Sequence, residues 1–68
     1  MSIKLKILDS LRKKYEATIA ESLATAEIYF QNPVGIGEHS GIIQEIDTLL
    51  EQASSAQEKL DLIKKISE

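Results

Sequence analysis

The residues that come closest to site chemistry form one run, Asn32-Pro33-Val34-Gly35-Ile36-Gly37-Glu38-His39. Glycine amides ahead of a helix N-terminus can build an anion-binding nest. A phosphate loop would add a lysine and a Ser/Thr hydroxyl at fixed spacing. Neither follows here, and Glu38 stands where an anion would sit. These residues favour a reversal, in which Val34 and Ile36 plug the open end of a helical bundle. A docking loop for a protein partner is the second reading of the same segment.

His39, flanked by Glu38 and Ser40, offers a metal ligand, an acid–base pair or a nucleophile–base pair. Adjacent helical residues project about 100° apart, so these side chains do not converge, and no third group orients them. Capping or exposure is the favoured role of His39, and a metal would require several copies to meet at a symmetry axis. With one histidine and no cysteine, a zinc site lacks ligands and disulfides are excluded. No catalytic residue, cofactor-binding residue or metal ligand is assigned, no cofactor is expected, and the chain reads as non-enzymatic.

Arg12-Lys13-Lys14 could contact phosphate or an acidic partner. Consecutive residues fan around a helix, however, and a solvated face paired with neighbouring acids is the simpler reading. Tyr15, Tyr29 and Phe30 are the only aromatics, too few for a base-stacking platform. The chain carries 8 basic and 11 acidic residues for a net charge of −3. Residues 1–31 hold Lys4, Lys6, Arg12, Lys13 and Lys14 against Asp9, Glu16, Glu21 and Glu27, a balance of +1. Residues 32–68 hold Lys59, Lys64 and Lys65 against Glu38, Glu45, Asp47, Glu51, Glu58, Asp61 and Glu68, a balance of −4. Complementary halves suit antiparallel pairing, and an acidic total argues against nucleic acid as the main partner.

The elements that position these residues follow from the same run. The single proline and two of the three glycines lie within residues 32–37. Pro33 lacks an N–H and pushes Asn32 toward an extended conformation, so a helix should stop near residue 31. Gly35 and Gly37 permit the positive φ that a reversal needs. The turn residues are thus Asn32, Pro33, Gly35 and Gly37. The prediction is all-α: one helical hairpin over residues 1–68, with helices at about 3–31 and 39–66 and a turn at about 32–38.

In the second half, Ile42, Ile46, Leu49, Ala53, Ala56, Leu60 and Ile63 alternate steps of four and three, a heptad seam. In the first half, Leu8, Leu11, Tyr15, Ile19, Leu23, Ala26 and Phe30 trace a comparable stripe. These two sets are the expected hairpin core. A turn centred near residues 34–36 makes opposing residue numbers add to about 71, which sets Tyr15 against Ala56, Leu11 against Leu60, Leu8 against Ile63 and Ser22 against Leu49. Ala17, Ala20, Ala24 and Ile28 fall on the opposite side of the first helix, where they are read as an oligomer interface. Alanine's high helix propensity is the alternative reason for them.

A chain of 68 residues rarely buries enough apolar surface alone. Association is the staple left to it, most simply two hairpins in a four-helix bundle. The partners expected are a second or further copy of itself and an unidentified protein. Charges scattered from Lys4 onward leave no apolar run for a signal peptide or membrane span. The absence of cysteine fits a reducing compartment, so a cytoplasmic protein is expected.

The run Tyr29-Phe30-Gln31-Asn32-Pro33-Val34-Gly35-Ile36-Gly37-Glu38-His39, with Ile43-Gln44-Glu45-Ile46-Asp47 beyond it, resembles short helical proteins of T4-like phages, marine ones in particular. Lys13-Lys14-Tyr15-Glu16 fits the same likeness, while Ser40 stands where those proteins often carry proline. The resemblance implies a viral origin, hence the host cytoplasm, and brings no mechanism with it. A small self-associating structural or interaction protein of phage assembly or host takeover is the expectation. The alternative is a nucleic-acid-associated accessory protein using the basic start of the first helix.

Overall fold

The computed structural model describes residues 2–31, the backbone of residues 39–40, and residues 41–68. The expected turn residues Asn32, Pro33, Gly35 and Gly37 lie outside the described residues, as do Val34, Ile36 and the side chain of His39. Two helices, α1 (Ile3–Gln31) and α2 (His39–Ser67), each of 29 residues, pack against one another as an all-α hairpin. The molecule measures 51 × 15 × 13 Å, a rod one layer thick. No described helix is long and apolar enough to cross a membrane.

Local chemistry fixes the helix ends. Ser2 caps α1: its Oγ accepts the Leu5 amide at 3.1 Å, and its carbonyl accepts the Lys6 amide at 3.0 Å. A hydroxyl here satisfies one of the amides that the first turn leaves unpaired. Lys64 and Lys65 occupy the last turn of α2, where positive charge suits the negative end of the helix dipole.

The α2 contact line keeps the predicted phase. Ala53, Ala56 and Ile63 are buried, and Ile42, Ile46, Leu49 and Leu60 are half-buried. On α1 the contact line begins at Leu8, Leu11 and Tyr15 and then departs from the apolar residues. It continues through Thr18, Ser22, Thr25, Ala26 and Tyr29, of which Ser22 and Ala26 are buried, with Ile19 half-buried at its edge. Leu23 and Phe30, expected in the core, remain 48% and 59% exposed.

The cause is periodicity. Steps of 3 and 4 from Leu8 average about 3.5 residues and follow a partner helix. The run Tyr15, Ile19, Leu23 takes two steps of four, which carry the stripe about 80° around the helix. The polar residues that replace it are satisfied at home. Thr18 Oγ1 donates to the Lys14 carbonyl at 3.0 Å, and Thr25 Oγ1 to the Glu21 carbonyl at 2.9 Å. A hydroxyl bonded to the preceding turn leaves the threonine methyl free to pack. Ser22, 3% exposed, donates across the seam to Gln52 Oε1 at 3.4 Å.

These contacts give the register. Tyr15 borders one groove with Ala56 and Lys59, and Leu8 borders another with Ile63. The Lys59 Nζ lies 5.1 Å from the Tyr15 ring centroid, a cation–π distance. With Ser22 opposite Gln52, facing residue numbers add to between 71 and 74.

Among the described residues Ile63 is the largest apolar side chain that is buried. Ile63→Ala is expected to cost about 2–3 kcal/mol, whereas Leu49→Ala, at a half-buried site, should cost clearly less; urea unfolding followed by circular dichroism measures both. Gly41 lies in the first turn of α2, and a Cβ there would meet nothing within 4 Å. Gly41→Ala should therefore raise stability by about 0.5–1 kcal/mol, read as a higher urea midpoint at unchanged slope.

Candidate interaction surface

Two long sides flank the seam. The first side is a groove bordered by Arg12, Glu16, Gln57, Leu60, Asp61 and Lys64. A step of seven residues returns to nearly the same side of a helix. From Glu16 that step reaches Leu23 and then Phe30. From Gln57, taken backward, it reaches Leu50 and then Ile43, and from Arg12 it reaches Ile19. The first side is therefore charged over the half nearer Ile3 and Ser67 and apolar over the half nearer Gln31 and His39. Leu50 and Ile43 are 48% and 68% exposed, so with Leu23 and Phe30 they form an uncovered apolar ledge.

The second side carries Lys14, Thr18, Thr48, Gln52, Ser55 and Lys59. Seven-residue steps from Lys14 and Lys59 reach Ile7 and Ile66, both exposed near the opposite end of the rod from the ledge. Of the large uncovered apolar side chains, Leu23, Phe30, Ile43 and Leu50 gather on the first side and Ile7 and Ile66 on the second, while Leu5 borders the charged half of the first side and Ile28 lies two seven-residue steps beyond Lys14. Ala17, Ala20, Ala24 and Ile28, expected as an oligomer interface, are all exposed and lie on α1 away from α2.

The electrostatics are local. Arg12 pairs with Asp9 through its Nη2, and its Nη1 lies 3.2 Å from Glu16; Lys13 Nζ lies 3.2 Å from Asp9. The hydrogen bond from Arg12, supported by that from Lys13, holds the Asp9 carboxyl below its ordinary pKa. The Asp9 carboxylate in turn raises the Arg12 guanidinium above its ordinary value. Two charges of the Arg12-Lys13-Lys14 triplet are thereby committed to acids on their own helix. Asp61 accepts from Gln57 Nε2 at 3.1 Å, and among the described residues Lys64 makes no ion pair.

Among the described residues no three His, Cys, Asp or Glu side chains gather as a metal site, and no buried polar side-chain atom lacks a partner. The serines are dispersed or bonded to their own helix, as Ser54 and Ser67 are to the Glu51 and Ile63 carbonyls. What the surface presents is exposed apolar area contributed by both helices. A reading that assigns Leu23 and Phe30 inward hides the ledge. The signal that finds it is their seven-residue spacing from Glu16, matched by Leu50 and Ile43 counted back from Gln57.

An ion-paired carboxyl with a depressed pKa stabilises the fold above its unfolded value, near pH ~4, and that contribution is lost as pH falls through the lower folded value. The pair is exposed, so the effect on stability is small. NMR titration of the Asp9 carboxyl carbon should give a midpoint below that of an unstructured aspartate, and Arg12→Gln should move it upward. Compared with protein-family models, curated proteins and solved structures, the chain matches none.

Proposed function

We propose that this chain is a small, non-enzymatic interaction protein that works as a self-associating helical hairpin, two copies forming a four-helix bundle. The observation that carries this reading is surface area. The folded chain exposes 5350 Å². A compact monomer of 7.6 kDa would expose roughly 4,300 Å². The excess, about 1,000 Å², is comparable to the roughly 800 Å² that each partner contributes to a standard protein interface.

The lining of the seam supports the same reading. Ser22, Ala26, Ala53 and Ala56 are small, and among the described residues Ile63 is the one large apolar side chain buried with them. A second hairpin supplies the neighbours that the flanking leucines and isoleucines lack. The resemblance to short phage proteins gives phage assembly or host takeover as the setting. Sedimentation equilibrium at micromolar concentration is the test. The expected result is a mass twice 7.6 kDa, and a fully helical species of single mass would reject the proposal.

A further inference from the structure

We propose that the second copy docks on the Arg12–Lys64 side of the hairpin, in parallel register, with Gln31 and His39 of both copies at the same end of the bundle. This inference rests on the self-association reading above and assigns it a face and an orientation.

Three observations select this side. Its half nearer Gln31 is an apolar ledge built from both helices, with Leu23, Phe30, Ile43 and Leu50 uncovered. The alanine stripe of α1, by contrast, lies on one helix and offers mostly methyl groups. The ledge and the charged groove below it are continuous along the rod. Each helix is roughly 43 Å long at 1.5 Å per residue, and the rod is 15 Å wide. The side therefore presents roughly 650 Å², within the range of one partner's share of a specific interface.

The charges then select the orientation. Consider a two-fold axis parallel to the rod, with this side of one copy against the same side of the other. α1 then lies over the partner copy's α2, and every residue keeps its level. The internal register places Arg12 level with Asp61 and Asp9 level with Lys64, to within about one residue. Across the two-fold, Arg12 of one copy thus meets the level of Asp61 in the other, and Lys64 meets that of Asp9. Leu23 and Phe30 meet the levels of Leu50 and Ile43. An antiparallel full overlap would instead set the ledge against Arg12 and Lys64, burying charge on an apolar surface. In the parallel arrangement each helix is also antiparallel to both adjacent helices, the favourable alignment for helix dipoles.

Charge exchange between two variants tests the proposal. Arg12→Glu and Asp61→Arg are prepared separately, their helicity is checked by circular dichroism, and each is sedimented alone and then mixed. Each variant alone places like charges at two symmetry-related positions and should weaken dimerisation by about tenfold or more. The equimolar mixture should recover an affinity close to wild type. In the mixed dimer the acid introduced by Arg12→Glu faces the base introduced by Asp61→Arg, and the unaltered Arg12 and Asp61 face each other. Contacts within one chain cannot be rescued by mixing. Leu50→Glu, at an exposed position on the ledge, should abolish the dimer. Ala24→Glu on the back of α1 should leave it intact.

A dimer that survives Leu50→Glu but is lost in Ala24→Glu would overturn the face while leaving self-association standing. Dimerisation unchanged in both charge variants, or weakened without rescue on mixing, would overturn the parallel register. A mass above two chains would overturn the closed two-fold. A wild-type monomer would instead reject the reading on which this inference rests.

Discussion

Two helices side by side share a single line of contact, and in this chain that line is narrow. Ser22 and Ala26 of α1 and Ala53 and Ala56 of α2 are its best-buried residues together with Ile63. Small side chains let helix axes approach closely, which favours dispersion contact between backbones but removes little apolar area from water. The larger apolar groups are thereby left at the margins: half-buried where they edge the seam, exposed where they sit one position further round. Backbone ordering costs about 1–2 kcal/mol per residue, and a seam of this composition offsets it poorly. The one-layer shape, the uncovered ledge and the case for a second copy all descend from that imbalance.

The α2 contact line is legible in the sequence because its alternation of three and four is carried by apolar residues throughout, from Ile42 to Ile63. Periodicity and hydrophobicity agree there. On α1 they diverge after Tyr15. The true line keeps the heptad step through Thr18, Ser22 and Thr25, while the greasier residues take two steps of four, from Tyr15 to Ile19 and Leu23, and Phe30 follows Leu23 off the line. A reading that follows hydrophobicity goes with them. Thr18 and Thr25 can occupy contact positions because each hydroxyl bonds its own helix one turn back, a property composition does not display. The end of α1 at Gln31 is more accessible, since Pro33 forbids continuation. The Ser2 cap is not, because a lone serine beside Met1 carries no distinctive pattern.

The same divergence is informative about function. A chain under no constraint beyond forming a hairpin would place its bulky apolar residues on the contact line and alanine or polar residues around it. Here the α1 contact positions beyond Tyr15 are small or hydroxylated, while Leu23 and Phe30 of α1 and Leu50 and Ile43 of α2 occupy the flank at matching levels. This disagreement between local and global pattern supports the proposed self-association. The matched levels matter most, since α1 and α2 contribute to the ledge independently and yet form one continuous surface.

Hydrophobic attraction alone would not specify how two such surfaces meet, because it depends on area and has no direction. An apolar ledge on its own would tolerate sliding and reversal. In the proposed dimer the charged half of the same side removes that freedom. Arg12 and Lys64 are cations at levels where the facing helix of a two-fold partner carries Asp61 and Asp9, so the in-register parallel pairing satisfies charges that other pairings oppose or bury. Individual exposed pairs contribute little to affinity, but the difference between attraction and repulsion at several symmetry-related positions is enough to discriminate orientations. On this view the two halves of one side divide the labour, with the ledge supplying the drive to associate and the charges selecting the register in which it happens.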